Sequence, residues 1–143
     1  MMAMIGRLSL PVLVMAMVPL QEAQAQADRF QGAWLEEGVP CASVFVATPK
    51  AVSFRRPASA FAPAFIVAGQ RLSTPLATCR IVSLSTSGQR QIVNLRCTTT
   101  ISTDSAQAIL AMAEDGGLYR FNALEAGIAT KYQRCNRDVL KAP

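Results

Sequence analysis

The residues of this chain best suited to covalent chemistry are its four cysteines, Cys41, Cys79, Cys97 and Cys135. In an exported protein an even number of cysteines indicates disulfide bonds rather than a metal site or a catalytic nucleophile. The 143-residue chain has no Cys-x-x-Cys pair and no histidine, so a zinc site would need all four thiolates from distant segments. The pattern therefore predicts two disulfides and no metal site.

The lack of histidine also removes most catalytic arrangements. Ser-His-Asp and Cys-His sites are impossible, and the sequence has no nucleophile elbow and no phosphate-binding glycine motif. Glu36 and Glu37 would point to opposite faces of a strand, and Glu114 and Asp115 fall in a predicted turn. Asp104 is the remaining candidate acid. We therefore do not expect these acids to converge on one substrate. We therefore predict a protein that is not an enzyme and has no catalytic residues and no cofactor.

The first 27 residues have the features of a cleaved export signal. Arg7 supplies a positive charge, residues 8–20 are apolar, and residues 23–27 offer two Ala-x-Ala cleavage sites. The apolar run is shorter than the roughly 18 to 20 residues that span a bilayer, and two prolines interrupt it. We therefore expect no membrane span, and we expect residues 28–143 to form one domain in the periplasm or outside the cell.

The chain that remains after cleavage is basic. The signal contains one of the 14 Lys and Arg and one of the 9 Asp and Glu, which leaves 13 against 8 and a net charge of +5. A basic surface favours an anionic partner, such as lipopolysaccharide or an acidic protein, although no motif for specific nucleic-acid binding is present. Only Arg55 and Arg56 are adjacent in sequence, and the other basic residues are scattered. A general contribution to solubility therefore explains the charge better than an anionic partner does.

Short runs rich in Val, Ile, Phe and Thr alternate with Gly, Pro and Ser about every ten residues, and no long amphipathic helix competes with them. This spacing predicts an all-β fold, a small antiparallel barrel or sandwich of about seven to eight short strands. The predicted strands are Gly32–Leu35, Ala42–Thr48, Ala64–Val67, Ala77–Leu84, Gln91–Thr98, Ala106–Ala113, Leu118–Phe121 and Ile128–Cys135.

The first predicted hairpin brings two cysteines together. Ser87-Gly88 lies midway between two apolar runs, so a symmetric hairpin places Cys79 opposite Cys97, within disulfide distance. Cys41 would then pair with Cys135 by exclusion. Four cysteines allow three connectivities, and the other two remain open at this stage.

The second predicted hairpin turns at Asp115-Gly116, because glycine supplies the positive φ that two-residue turns need. This turn would pair Met112 with Tyr119 and Leu110 with Phe121, put those four side chains in the core, and leave Arg120 on the opposite face. A turn at Gly116-Gly117 would shift the register.

One segment combines arginines, aromatic residues and prolines, between Phe54 and Phe65. Prolines stiffen a loop, and exposed Arg and Phe side chains together suit contact with a protein or a polyanion. We therefore predict that Phe54, Arg55, Arg56 and Phe61 bind a partner. The alternative is that Phe61 and Phe65 plug the end of the barrel while the arginines stay solvated.

Short motifs run through the predicted domain: Gly32-x-Trp34, Cys41, Cys79-Arg80-Ile81, Cys97, Leu118-Tyr119-Arg120 and Tyr132-Gln133-Arg134-Cys135. Together they resemble a group of small exported proteobacterial proteins of unknown function that contain cysteines and are β-barrels. The G-x-W opening also resembles the first strand of lipocalin-like barrels. Among these, the periplasmic inhibitors of secreted metalloproteases share a cysteine soon after the G-x-W.

The sequence thus predicts a binding protein of the bacterial envelope, with inhibition of a secreted or host enzyme as one form of that activity. The alternative is a lipocalin-like carrier of a small apolar or anionic ligand. Because eight short strands enclose little more than their own side chains, a roomy pocket is not expected.

Overall fold

The computed structural model describes residues 28–141, so the predicted signal at residues 1–27 lies outside the described residues. Strands β1 to β10 span, in order, Gly32–Glu36, Phe45–Ala47, Val52–Phe54, Ala64–Ala68, Arg71–Ser73, Thr78–Ser87, Arg90–Thr98, Thr103–Met112, Leu118–Phe121 and Ala129–Arg134. Two short helices, α1 and α2, span Cys41–Val44 and Arg137–Lys141.

Eight strands form a closed antiparallel barrel in the order β1-β10-β9-β8-β7-β6-β5-β4. Each barrel strand pairs with the next one along the chain, and β10 closes the barrel by pairing with β1. Strands β2 and β3 form a separate two-stranded sheet, inserted between β1 and β4. The prediction of a small antiparallel barrel with two disulfides is confirmed.

The main core fills the barrel, because alternate residues of each strand point inward. Trp34 of β1 and Leu118 of β9 are fully buried there, and Phe65 packs edge-on against Tyr132 with ring centroids 5.3 Å apart. The buried members of this core are Phe30, Trp34, Phe65, Val67, Leu72, Cys79, Val93, Leu95, Leu110, Leu118 and Tyr132.

A second core lies on the outer face of β1, so this strand is buried on both faces. Leu35 alternates with Trp34 and packs outward, where α1, α2 and the β2–β3 sheet cover it. Phe45 of β2 stacks on Phe54 of β3 with ring centroids 5.3 Å apart. The Cys41–Cys135 disulfide joins α1 to the end of β10 within this second core.

The predicted strand over Ala42–Thr48 is wrong in its first half. Residues Cys41–Val44 form the single helical turn α1, and the strand begins only at Phe45. Pro40 lies just before the turn in an extended conformation, and its carbonyl accepts hydrogen bonds from the backbone N–H and the hydroxyl of Ser43. Strands β3 and β5 were not predicted, since three residues are too few to show the alternation of apolar and polar side chains that indicates a strand.

The first hairpin pairs Cys79 with Cys97 and the disulfide joins them, as predicted. The two-residue turn is Gly88-Gln89 rather than Ser87-Gly88, with Gly88 at φ +61°. A register shift of one residue at Val82, a β-bulge, compensates for the displaced turn. The predicted cysteine pair is therefore correct, although the turn lies one residue further along.

The second hairpin has a different register from the predicted one. Met112 pairs with Leu118 and Leu110 pairs with Arg120. The turn is a three-residue loop closed by the N–H of Ala113 on the carbonyl of Gly117, with Gly116 at φ +86°. A slip of one residue exchanges the two faces of a strand.

As a result, Leu118 and Arg120 lie on the inner face of the barrel. Tyr119 and Phe121, which were predicted to be core residues, point outward instead. The predicted position of Arg120 on the opposite face is therefore wrong.

One end of the barrel is closed by a cluster around Trp34. The indole N–H of Trp34 donates to the carbonyl of Phe30 over 2.8 Å, and the guanidinium of Arg134 lies 4.3 Å from the Trp34 ring centroid. Arg134 also donates to the carbonyls of Gln31 and Arg29. Burial lowers the pKa of Arg134, but arginine stays charged in proteins.

Gly32 makes this closure possible for two reasons. Its φ of +125° is rarely adopted by residues with side chains, and an added Cβ would lie 3.0 Å from a terminal nitrogen of Arg134. The spacing of glycine and tryptophan in G-x-W therefore reflects the packing of Arg134 over Trp34.

We predict that the Cys41–Cys135 disulfide stabilises the fold more than Cys79–Cys97. Their sequence separations are 94 and 18 residues, which correspond to about 4.7 and 3 kcal/mol in the chain-entropy model. Urea unfolding of the two paired Cys→Ala variants measures the difference. A larger loss of unfolding free energy on removing Cys79 and Cys97 would contradict the prediction.

We also predict that Arg134→Met lowers the unfolding free energy by about 2 to 3 kcal/mol. The methionine keeps apolar cover over Trp34 but loses the hydrogen bonds to the two carbonyls. Arg29→Met is the matched control, because only the backbone of Arg29 takes part and its side chain is exposed. Equal unfolding free energies for the two variants would show that the guanidinium does not hold this end closed.

Candidate functional site

A cavity of about 330 Å³ opens at the end of the barrel opposite Trp34 and Arg134. Mostly apolar side chains line it, and the Cys79–Cys97 disulfide forms part of its wall. The lining includes Phe65, Leu72, Leu95, Ala108, Leu110 and Tyr132. The space that the side chains leave at this end of the barrel is therefore small.

Arg120 brings a positive charge to this apolar cavity. It lies two residues from the buried Leu118 on the inner face of β9, opposite Leu110 of β8, and it lines the cavity at its exposed end. Its neighbours on the inner face are Thr130, with which it pairs on β10, and the buried Leu118 and Tyr132. A cation beside buried apolar side chains is uncommon. Sequence reasoning missed this residue because the predicted turn gave the wrong register for β9.

Four loops leave the barrel at the open end, because neighbouring strands run in opposite directions. Each loop carries a large apolar side chain that is exposed to solvent. These are Phe61 (92% exposed), Leu76 (60%), Ile101 (93%) and Ile128 (84%). Leu76 and the neighbours of Phe61 also line the cavity. Apolar groups thus occur both inside the opening and on the loops around it.

The four residues predicted to bind a partner do not lie together on one exposed surface. Phe54 is half-buried and stacks on Phe45 in the second core, so its ring has a structural role. Arg55 donates from Nε to the carbonyl of Ala42 over 2.5 Å, which fixes it against α1. Arg55 is exposed despite this hydrogen bond, as are Arg56 and Phe61.

The alternative interpretation, in which two phenylalanines plug the barrel, is half correct. Phe65 is buried in the barrel, where it forms the inner wall of the cavity. Phe61 instead points to solvent. The exposed phenylalanine is therefore available to a partner, whereas the buried one helps to define the pocket.

A charged cluster on the outside joins β10 to the turn before β9. The ammonium of Lys131 contacts Asp115 at 2.5 Å and Glu37 at 3.3 Å. The hydrogen bond from Lys131 lowers the pKa of Asp115 below its usual 3.8, and the N–H of Gly117 adds to this effect. The hydrogen bond to Asp115 in turn raises the pKa of Lys131. These contacts are structural, because they hold the turn that sets the register of β9.

Within residues 28–141, no group of three or more Cys, Asp or Glu side chains is arranged to hold a metal ion. No helix in that range is long and apolar enough to cross a bilayer. No protein-family model, curated protein or solved structure matches this chain. The candidate site is a mostly apolar cavity that Arg120 lines.

We predict that Lys131→Met raises the pKa of Asp115 toward 3.8, because the variant removes the hydrogen bond that lowers it. Since the folded pKa is lowered, the contribution of Asp115 to stability is present above about pH 3.8 and is lost as the pH falls through the folded pKa. An NMR titration of the Asp115 carboxyl measures the shift. Lys141→Met serves as the control, and an equal effect in that variant would contradict the assignment.

Proposed function

We propose that this protein is a non-enzymatic binding protein that works outside the cytoplasm, and that the open end of its barrel holds a small apolar ligand with an anionic group. The observation that carries the proposal is the position of Arg120 on the inner face, where it lines a mostly apolar cavity. An eight-stranded barrel has an interior that can hold one small ligand.

The size of the cavity limits the ligand. A volume of about 330 Å³ is at the small end of the range for ligand pockets, so one short acyl chain or one small ring system fits. Burial of roughly 200 Å² of apolar ligand surface contributes about 5 kcal/mol before the entropic cost of binding. Micromolar affinity therefore requires a further contact, which Arg120 supplies.

The charge at the opening sets the polarity of the ligand. A guanidinium binds a carboxylate through two parallel hydrogen bonds, and these are stronger where water is partly excluded. The apolar part of the ligand would contact Phe65, Leu95 and Leu110, with its carboxylate toward Arg120. This orientation leaves the charged group at the solvent end of the cavity.

The two disulfides support a location outside the cytoplasm. One joins residues 94 positions apart and the other joins facing residues of one hairpin, and such bonds persist in oxidising compartments. Together with the predicted export signal, they favour the periplasm or the cell exterior as the place where the ligand is met.

A second candidate function is binding of a protein, including inhibition of a secreted or host enzyme. Phe61 and Ile101 are almost fully exposed on two loops at the open end, and exposed aromatic side chains are frequent anchors in protein interfaces. Arg56 is an exposed cation on the Phe61 loop. The resemblance of the G-x-W opening to periplasmic protease inhibitors agrees with this function.

Decanoate, a short acyl carboxylate, tests the ligand proposal. We expect wild-type protein to bind it by isothermal titration calorimetry, and Arg120→Gln to bind it about tenfold more weakly, since a lost charged hydrogen bond is equivalent to at least one factor of ten. Ala108→Phe should block binding by filling the cavity. Arg137→Gln removes a charge outside the cavity and should bind normally.

Two results would contradict the ligand proposal. One is equal affinity of Arg120→Gln and wild type for decanoate. The other is equal affinity of wild type for decanoate and decanol, since the alcohol lacks the anionic group. The melting temperature of Ala108→Phe shows whether this variant loses binding because its cavity is filled or because its fold is damaged.

A photo-crosslinking residue at position 61 tests the protein-binding candidate. We expect a single adduct in periplasmic extract or host fluid that excess wild-type protein competes away and that the Arg56→Ala variant competes away less well. The same residue at the exposed position 85 should give no such adduct. Identical adducts from positions 61 and 85 would rule out this loop as the interface.

A further inference from the structure

Three arginines form a row on the outer wall of the barrel, away from the open end. Arg71 of β5 pairs with Arg80 of β6, which pairs in turn with Arg96 of β7. All three are exposed and point outward, because Cys79 and Leu95, their neighbours in sequence, point into the barrel. Neighbouring strands are about 4.8 Å apart, so this arginine row places three guanidinium groups across about 10 Å.

The arginine row has no acidic partner. The ion pairs within residues 28–141 are those of Lys131 with Glu37 and Asp115. The one acid on strands β5 to β8 is Asp104, which pairs with Cys97 and therefore lies on the inner face. Like charges directly opposite each other on a sheet are destabilising. The row therefore carries an energetic cost that the fold does not offset with acidic residues.

Other arginines of the protein have structural contacts. Arg90 lies 3.6 Å from the ring centroid of Phe121 and donates to the carbonyl of Leu124. Arg134 covers Trp34 and donates to two carbonyls. The arginines of the row make no such contact within the part of the chain that the structure describes, which leaves their donors free for a ligand.

Hydroxyl groups form a second row on one side of the arginines. Ser73, Thr78, Thr98 and Thr103 are aligned by successive strand pairs on β5 to β8, and the hydroxyls of Thr98 and Thr103 lie 3.3 Å apart. A shallow depression of about 560 Å³ runs along the threonines and the arginine row. Hydroxyl donors and acceptors are therefore within the same depression as the guanidinium groups.

Amide groups lie on the other side of the row. Asn94 donates to the hydroxyl of Ser83 over 2.9 Å, and Gln107 donates to the side-chain oxygen of Asn94 over 3.0 Å. These bonds fix the orientation of both amides on the outer face. Strands β5 to β8 contain no aromatic residue.

We propose that this face binds an anionic polysaccharide, a sugar chain that carries carboxylate, sulfate or phosphate groups. Guanidinium forks bind such oxyanions through paired hydrogen bonds, and the flanking hydroxyls and amides match the many hydroxyl groups of a sugar. The extended row suits a chain with repeated charges rather than one isolated ion.

The composition of the face argues against two other polyanions. Single-stranded nucleic acid is usually bound with aromatic side chains on which bases stack, and β5 to β8 offer none. Protein interfaces contain buried apolar or aromatic anchors, whereas the three rows are polar and Val82, at the bulge between Arg80 and Ser83, is the one large exposed apolar side chain of β5 to β8. The polysaccharide site is also independent of the ligand cavity, since no residue of the arginine row lines that cavity.

The test uses a polygalacturonate chain of about ten sugar units, with its fully methyl-esterified form as the neutral control, and measures affinity by calorimetry. We expect the acidic chain to bind, with affinity that falls as salt rises, and the neutral chain not to bind. A triple Arg→Gln variant at positions 71, 80 and 96 should bind at least about tenfold more weakly.

A matched control variant removes three exposed charges elsewhere, with Gln at Arg29, Lys50 and Lys141. It has the same net charge as the triple variant of the row, and its affinity should fall by less than about threefold. A triple Arg→Lys variant of the row keeps the charge but loses the planar guanidinium groups that form paired hydrogen bonds, so we expect an intermediate affinity.

Several outcomes would overturn the proposal. Equal losses in the row variant and the control variant would show that only net charge matters, as would full affinity in the Arg→Lys variant. Equal or tighter binding of a thymidine decanucleotide or a polyglutamate peptide would assign the face to nucleic acid or to acidic protein instead. Failure of decanoate binding does not affect any of these measurements.

A stability measurement gives an independent readout. Arg80→Thr removes the central charge, so the melting temperature should rise by about 1 to 4 °C at low salt while polysaccharide affinity falls. An unchanged or lower melting temperature would contradict the repulsion within the row on which the proposal depends.

Discussion

The closure of the barrel at β1 is the constraint on which the rest of the structure depends. This five-residue strand pairs with β4 on one side and β10 on the other, and it is buried on both faces. Its inner face carries Trp34, over which Arg134 closes one end of the barrel. Its outer face carries Leu35, around which the second core and the Cys41–Cys135 disulfide assemble.

One end of the barrel is closed, and the cavity lies at the other end. The core near Trp34 is filled, and the cavity lies where the cross-strand disulfide Cys79–Cys97 replaces larger side chains on the inner wall. Arg120 faces this cavity only because the three-residue loop before β9 fixes the register. Lys131 and Asp115 stabilise the same loop. A polar contact on the outside of the barrel thus decides which side chain lies at the opening.

The arginines of the chain fall into two groups in the structure. Arg90 and Arg134 cover aromatic rings and satisfy carbonyl groups, so they belong to the fold. The arginines of β5, β6 and β7 are widely spaced in sequence but adjacent in space, because antiparallel pairing brings them into register. The scattered charges that favoured a general role in solubility therefore include a compact cluster.

The sequence by itself determined the all-β class and most of the barrel strands, and it favoured the Cys79–Cys97 pair, because period-two patterns, turn residues and the spacing of these two cysteines are local signals. The Cys41–Cys135 pair followed from the sequence only by exclusion, since 94 residues separate the two cysteines. Only the tertiary structure decided the inward position of Arg120 and the row of Arg71, Arg80 and Arg96. Each depends on the register between strands, and a single extra residue in a turn exchanges the two faces of a strand. Local patterns do not encode that choice, so the cavity and the basic face follow from pairing between strands.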